Sequence, residues 1–192
     1  RILMPVSKFP YSVFANENYR GIVRSDLNQE GFQEILQNPE SILARDEIRI
    51  IKDSDRNLLA EVEIETANGP KRFFFKIFQK QKKPGSKKRS RAFKTWNHIF
   101  ECQYRNISTP SPVMLVENSS NPTTSICYLL VEKAEDRVTV RTILDRVRKK
   151  KPLPIDLDAN TFLNQFGLFT RSKHRAGIYH RDYTGGNVLV ST

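Results

Sequence analysis

Three consecutive apolar segments, separated by turn residues, constrain the fold more than any other part of this sequence. They read EIRIIKDSDRN from residue 47, then LLAEVEIETANG, and then PKRFFFKIFQK. The middle segment alternates apolar with acidic residues, which is the period of a strand with one buried face. The polar DSDRN supplies a turn between the first two segments, and Asn68-Gly69 is typical of a tight hairpin between the second and third. The sequence therefore predicts an antiparallel three-stranded meander.

One helix and two more strands are predicted after the meander. The segment AFKTWNHIFECQYR places apolar residues on one helical face, and the runs PVMLVE and SICYLLVE are typical of strands divided by a polar turn. The segment EGFQEILQNPESIL before the meander carries Phe32, Ile35 and Leu36 at helical spacing, which predicts a short helix whose continuation Pro39 discourages. Residues 1–30 are rich in aromatic side chains but show no clear period, so they receive no assignment. These segments predict an α+β fold with a five-stranded antiparallel sheet and a helix.

The chain beyond the polar connector EKAEDR has a helical pattern. VTVRTILDRVRKKK predicts a short helix, and DANTFLNQFGLFTRSKHRAG predicts a longer one with Phe162, Phe166 and Phe169 on one face. Asp156 or Asp158 should lie near the start of the longer helix, and Gly177 should cap its end. We therefore expect an N-terminal lobe over 1–130 with an extension at 1–40, a hinge at 131–136, and the start of a helical lobe over 137–192.

Composition limits the class of protein. The 192 residues carry 32 Lys and Arg against 21 Asp and Glu, a formal charge of +11, which favours an anionic partner. Cys102 and Cys127 are the only cysteines, so the sequence shows no disulfide framework. No apolar stretch approaches the roughly 20 residues that span a bilayer, and the first residues lack a signal-peptide core. A cytoplasmic location is the expectation.

The segment HRDYTGGN carries the strongest chemical signal. His180, Arg181 and Asp182 are followed by four residues and then by Asn187, with apolar residues on both sides, which matches the H-R-D-x4-N catalytic loop of kinases. An aspartate there can orient an acceptor hydroxyl and receive its proton, and an amide oxygen can bind Mg²⁺ without adding charge. The alternative is an ordinary turn, because Asp, Asn and two glycines also form turns.

Lys76 lies in the third predicted strand, within FFFKIF. In kinase-like folds a lysine on this strand reaches the α- and β-phosphates of ATP. The alternative is a solvated strand lysine, but its aromatic neighbours make an unpaired ammonium costly. The turn between the first two strands contains no glycine where kinases carry a glycine-rich loop. Ser54 and nearby backbone N–H groups could hold phosphate oxygens there, and a plain polar hairpin turn is equally consistent.

Together these segments resemble the lipopolysaccharide core kinase family, the Kdo and heptose kinases, which are relatives of RIO and protein kinases. The resemblance covers roughly residues 40–192 and is carried by GIYHRDYTGGNVLV and by RAFKTWNHIFECQYRNISTPSPVML. It implies a two-lobed protein-kinase-like fold in which Lys76 contacts phosphates and residues from Glu132 to Ala134 form the adenine-binding hinge. It also implies Asp182 as the catalytic base, Asn187 as a magnesium ligand, and ATP and Mg²⁺ as cofactors.

Two positions depart from the family pattern. Thr95 precedes Trp96 where the family has a glutamate in the first helical turns that pairs with the strand lysine, and Glu101 is the helix's only acid. Kinases also need a second magnesium-binding aspartate after the catalytic asparagine. No such residue follows Asn187 before Thr192, and we expect it to lie in sequence beyond that residue rather than to be missing from an inactive relative.

The segment 71–94 carries 11 Lys and Arg residues and no acid. This run could contact anionic lipid headgroups or nucleic-acid phosphates, or it could be a solvated loop. With the resemblance, the expected partners are ATP, a lipid-linked phosphorylated saccharide and the inner face of the inner membrane, rather than nucleic acid. The expected reaction is phosphorylation of a Kdo or heptose hydroxyl. The alternatives are a RIO-like or aminoglycoside-type kinase with another acceptor, and an inactive kinase-like binding module.

Overall fold

The computed structural model describes residues 10–27, 30–66, 68–81, 90–120, 124–179 and 183–192. The chain divides into two compact units, Arg1–Lys133 and Ala134–Thr192. Among the described residues, the first contains a large sheet with helices, and the second contains two helices and a small sheet. No helix in the described ranges is long and apolar enough to cross a membrane.

Within its described residues, the first unit is built on one seven-stranded antiparallel sheet. Its strands are β1 (Tyr11–Ala15), β2 (Tyr19–Arg24), β3 (Arg49–Ser54), β4 (Asn57–Thr66), β5 (Gly69–Gln81), β6 (Pro112–Asn118) and β7 (Thr124–Glu132), in the order β1-β2-β6-β7-β5-β4-β3. The five strands expected from the sequence are all present. The expected sheet of five strands is nevertheless wrong, because the N-terminal segment adds two.

The two extra strands form a hairpin that pairs with β6. Asn16 closes the turn, because its Oδ1 accepts hydrogen bonds from the backbone N–H groups of Asn18 and Tyr19 at 3.0 and 2.7 Å. Gly21 faces Val116 across the β2–β6 ladder, and a Cβ at Gly21 would lie 2.2 Å from the carbonyl oxygen of Leu115. The close approach of β2 to β6 therefore depends on the glycine.

The predicted meander is confirmed as β3, β4 and β5. Ala60, Val62 and Ile64 are buried on one face of β4, as the alternation indicates. Ser54 pairs with Asn57 at the first turn, and Thr66 pairs with Gly69 at the second, where Gly69 has a φ of 87° that glycine adopts without strain.

Helices cover both faces of this sheet. The predicted helix after the meander is α2 (Arg91–Tyr104), and its Trp96 and Phe100 pack with Leu115, Leu129 and Val131 of the sheet. The predicted short helix is α1 (Glu30–Gln37), which is followed by a 3-10 helix at Pro39–Ala44, and both pack on the opposite face. Each face of the sheet therefore has its own apolar core.

The second unit contains β8 (Arg137–Thr139), α3 (Val140–Arg148), α4 (Ala159–Arg175) and β9 (Leu189–Ser191), with β8 and β9 antiparallel. Asp158 caps α4 by accepting from the backbone N–H groups of Asn160 and Thr161, and Gly177 follows its end with a φ of 73°. Helix α3 begins later than the sequence pattern indicates, because the first residues of that segment form β8.

Candidate active site

Lys76 lies near the middle of β5, on the face of the sheet that α2 covers. It pairs in register with Leu59 of β4 and Leu129 of β7. Phe74 and Phe78, two residues away on either side along the strand, point to the same face and pack against the core beneath α2. The lysine side chain is therefore half-buried among apolar neighbours.

The ammonium of Lys76 has no carboxylate within ion-pair distance among the described residues. Burial lowers the pKa of Lys76 below its ordinary value of 10.5, because desolvation disfavours the charged form. The acid that α2 carries, Glu101, lies 3.5 Å from His98 of the same helix. The hydroxyl of Thr95 donates a hydrogen bond to the backbone carbonyl of Arg91, one turn earlier in α2. Helix α2 therefore supplies no carboxylate partner for Lys76, in agreement with the departure at Thr95.

A carboxylate does lie on the same face of the neighbouring strand, but other cations hold it. Glu61 of β4 is opposite Phe74, so it is a diagonal neighbour of Lys76 in the ladder. Its Oε1 accepts a hydrogen bond from Lys133 Nζ at 2.5 Å and lies 3.9 Å from Arg72 Nη1. Glu61 therefore pairs with Lys133 and Arg72 rather than with Lys76.

Ser54 is exposed at the end of β3, beside the turn that leads into β4. Its hydroxyl donates a hydrogen bond to the carbonyl of Asn57 at 3.0 Å, across the β3–β4 turn. The hydroxyl thereby stabilises the hairpin turn itself. Phosphate binding by Ser54 stays a prediction.

Glu132, one of the predicted adenine-binding residues, ends β7 with its carboxylate on Arg24. Arg24 is 1% exposed and donates to Glu132 Oε1 and to Asp26 Oδ1, each at 2.7 Å. Burial opposes the charge of Arg24, but the hydrogen bonds that it donates to Glu132 and Asp26 outweigh this effect and raise the pKa of the guanidinium. No sequence signal marked Arg24, which follows an apolar run in a segment without a clear period.

The backbone around the predicted hinge is partly used by the first unit. The N–H of Glu132 donates to the carbonyl of Ser111, and the N–H of Lys133 donates to the carbonyl of Arg72, both at 2.9 Å. Ala134 makes no hydrogen bond to another described residue. Ala134 is also the first residue of the second unit. A role for Glu132 or Ala134 in adenine binding stays a prediction.

His180, Arg181 and the predicted catalytic base Asp182 lie outside the described residues. The second half of the loop is held against the start of α3. Val140 and Arg141 donate their backbone N–H groups to the carbonyls of Val188 and Gly185, at 2.9 and 2.8 Å. A Cβ at Gly185 would lie 3.0 Å from the backbone nitrogen of Arg141, so this glycine permits the close contact.

Asn187, the predicted magnesium ligand, follows this contact with an exposed side chain. Its backbone N–H donates to the carbonyl of Thr184 at 2.9 Å and closes the turn. The described ranges contain no group of three or more His, Cys, Asp or Glu side chains that could hold a metal ion. These residues therefore do not by themselves complete a magnesium site.

No protein-family model matches the chain, and no curated protein matches it. The chain is similar to a solved structure of WaaP in complex with acyl carrier protein, at 18% identity and a TM-score of 0.45, over 66% of this chain and 47% of that chain. The matched part is thus less than half the length of that protein. A similarity this low does not assign the chain to a family.

Proposed function

We propose that this chain carries the nucleotide-binding part and the catalytic loop of an ATP-dependent kinase. The proposed acceptor is a sugar hydroxyl of the lipopolysaccharide inner core, on Kdo or heptose. The observation that supports this most is Lys76, a half-buried lysine on the third strand of a meander, with no carboxylate partner among the described residues. A cation held in an apolar setting without a partner is suited to bind an anion.

The phosphates of ATP are the anions that fit this position. A lysine on the corresponding strand of protein kinases contacts the phosphates of ATP. Binding would give the Lys76 ammonium the counter-charge that α2 does not provide. The electrostatic gain would be larger than in water, because the side chain is flanked by Phe74 and Phe78. The role of Lys76 is to orient and neutralise the phosphates.

The acceptor chemistry is assigned to the loop that contains Asp182. The acceptor hydroxyl oxygen attacks the γ-phosphorus, the bond from that phosphorus to the ADP oxygen breaks, and the hydroxyl proton passes to the Asp182 carboxylate. Asn187 would contribute an amide oxygen to Mg²⁺, which neutralises phosphate charge in such enzymes. Because the described residues do not complete a metal site, no step is derived through the ion.

The basic surface suggests where the acceptor is presented. Residues 146–151, RVRKKK, include five cationic side chains at the end of α3, all of them exposed. The run at 71–94 adds further charge, although 82–89 lie outside the described residues. Each near-surface cation contributes about 1 kcal/mol of attraction to an anionic leaflet. These charges favour a lipid-linked phosphorylated saccharide at the cytoplasmic face of the inner membrane as the acceptor.

The test is transfer of labelled γ-phosphate from ATP to Kdo- and heptose-containing lipid acceptors by the full-length protein. Asp182→Ala and Lys76→Met should each lower transfer at least 100-fold, a magnitude typical of general-base and electrostatic residues. Asp156→Ala changes an exposed acid of the second unit and serves as the matched control. Absence of transfer to either sugar by the wild-type protein would refute the proposal.

Two alternatives give different results in the same experiment. Label on serine or on a small aminoglycoside-like acceptor would indicate a RIO-like or aminoglycoside-type kinase. An inactive binding module is favoured by the position of Glu101, the acid of α2, which lies beside His98 rather than Lys76. It would bind ATP, or bind RNA with steep salt dependence, and release no ADP.

A further inference from the structure

Lys173 is the one buried lysine among the described residues. It lies in the last turns of α4 and is 4% exposed. Lysine is almost never fully buried unless its ammonium is paired. Here the chain provides both partners, because Nζ donates to the carbonyl of Ile178 at 3.2 Å and lies 4.0 Å from the ring centre of Tyr183.

The two partners of Lys173 flank the predicted catalytic segment. Ile178 precedes His180, and Tyr183 directly follows Asp182. One ammonium therefore holds the chain on both sides of the residues that the kinase proposal assigns to catalysis. A carbonyl oxygen and an aromatic face are both good partners for a desolvated cation.

Helix α4 holds Tyr183 through three of its turns. The Phe166 ring is stacked on the Tyr183 ring at 6.3 Å, and the hydroxyls of Thr170 and Tyr183 are hydrogen-bonded at 2.9 Å. Lys173 adds its ammonium over the same ring. Phe166, Thr170 and Lys173 are spaced by four and three residues, so they lie on one face of the helix. This face of α4 therefore fixes the position of the Tyr183 side chain, and Tyr183 directly follows Asp182 in the sequence.

We infer that Lys173 is a positioning residue for the catalytic loop. It is too buried to meet a substrate, and an apolar side chain of the same length would fill its space without holding the Ile178 carbonyl. The inference rests on the proposed kinase function for its catalytic consequence. Its structural part, that the ammonium holds Ile178 and Tyr183, stands on the contacts alone.

The test compares Lys173→Met with Lys173→Arg in the full-length protein. Arg171→Met is the matched control, because Arg171 is an exposed cation of the same helix. Hydrogen exchange of peptides covering 176–188 measures the order of the loop and needs no enzymatic activity. Thr170→Val removes one Tyr183 hydrogen bond without touching the lysine, and decides the question if Lys173→Met fails to fold.

With Lys173→Met, exchange over 176–188 should accelerate about tenfold or more, while the amides of α4 before residue 170 keep their rates. The kcat for phosphate transfer should fall about 10- to 100-fold with the KM for ATP unchanged, since a small misplacement of a catalytic group is costly. Lys173→Arg should restore most of both. Thr170→Val should accelerate exchange over the same peptides.

Unchanged loop exchange in Lys173→Met, or a uniform acceleration across 134–192, would overturn the inference, and so would unchanged exchange in Thr170→Val if the lysine variant does not fold. A wild-type protein without transfer activity would refute the kinase proposal alone, because the exchange experiment would still report whether Lys173 orders this segment.

Discussion

The substitution Lys76→Met should raise the stability of the protein without nucleotide and weaken its binding of ATP. At a pH below its lowered pKa, Lys76 is charged in both the folded and the unfolded state, so the folded state bears the cost of burying an unpaired ammonium. Methionine fills the same space between Phe74 and Phe78 without that cost. We expect the variant without nucleotide to gain about 1 kcal/mol of unfolding free energy, a typical gain at a strained functional site. In a chain of this size that is about 2–4 °C in Tm.

With ATP bound, the wild-type protein should be more stable than Lys76→Met. ATP at 100 times its Kd stabilises the wild-type protein by about 2.7 kcal/mol, and a tenfold weaker Kd in the variant reduces this to about 1.4 kcal/mol at the same concentration. Thermal unfolding with and without Mg-ATP measures both terms. Lys52→Met, at an exposed strand lysine of β3, is the matched control and should change neither.

The pH dependence gives a third measurement on the same variant. Because the folded-state pKa of Lys76 is lowered, the burial cost is present below that pKa and disappears as pH rises toward the unfolded value of 10.5. The stability advantage of Lys76→Met should therefore shrink in this window. A variant that is less stable than the wild type without nucleotide, or that keeps the full ATP-dependent shift, would contradict this account of Lys76.

Two further pairs of variants test the fold. Gly21→Ala should destabilise the protein by about 2 kcal/mol or more in urea unfolding, because its Cβ meets a backbone carbonyl of β6, whereas Gly167→Ala, in open space on α4, should stabilise it by about 0.5–1 kcal/mol. Glu132→Gln should cost about 2–3 kcal/mol by weakening the hold on buried Arg24, while Glu117→Gln, in a surface pair, should cost less than about 1 kcal/mol. Equal changes in stability for the two glycine variants would contradict the close approach of β2 to β6 at Gly21. Equal changes for the two glutamate variants would contradict the burial of the Arg24–Glu132 pair.

The parts of the fold that the sequence predicts are those whose signals are local. The alternation along β4 and the Asn68-Gly69 turn lie within a few residues of what they specify, and the buried stripe of α2 repeats along one helix. The hairpin of β1 and β2 has no such signal. Its partner strand is nearly a hundred residues away, with Gly21 paired to Val116, and its burial does not alternate cleanly.

The same distinction applies to the candidate site. The spacing from His180 to Asn187 is a local pattern and could be read directly, although the residues from His180 to Asp182 lie outside the described ranges. The ion pair between Arg24 and Glu132 joins residues 108 positions apart, and no sequence pattern near either residue indicates this pair. The missing partner of Lys76 could be anticipated, because Glu101 was the only acid on the predicted helix. Only the structure shows that Glu101 lies beside His98.

Lys76 and Lys173 show why burial alone does not identify a functional lysine. From the sequence, Lys76 in FFFKIF is the unusual residue, and Lys173 in TRSKHR belongs to the basic end of a helix that suits the helix dipole. In the structure Lys173 is the more buried of the two, yet its ammonium is satisfied by a carbonyl and a ring of its own unit. Lys76 has a lowered pKa and no carboxylate partner among the described residues. Lys173, whose ammonium has partners within the chain, is therefore suited to hold neighbouring residues in place. Lys76, whose ammonium has no carboxylate partner among the described residues, is suited to bind an anionic ligand.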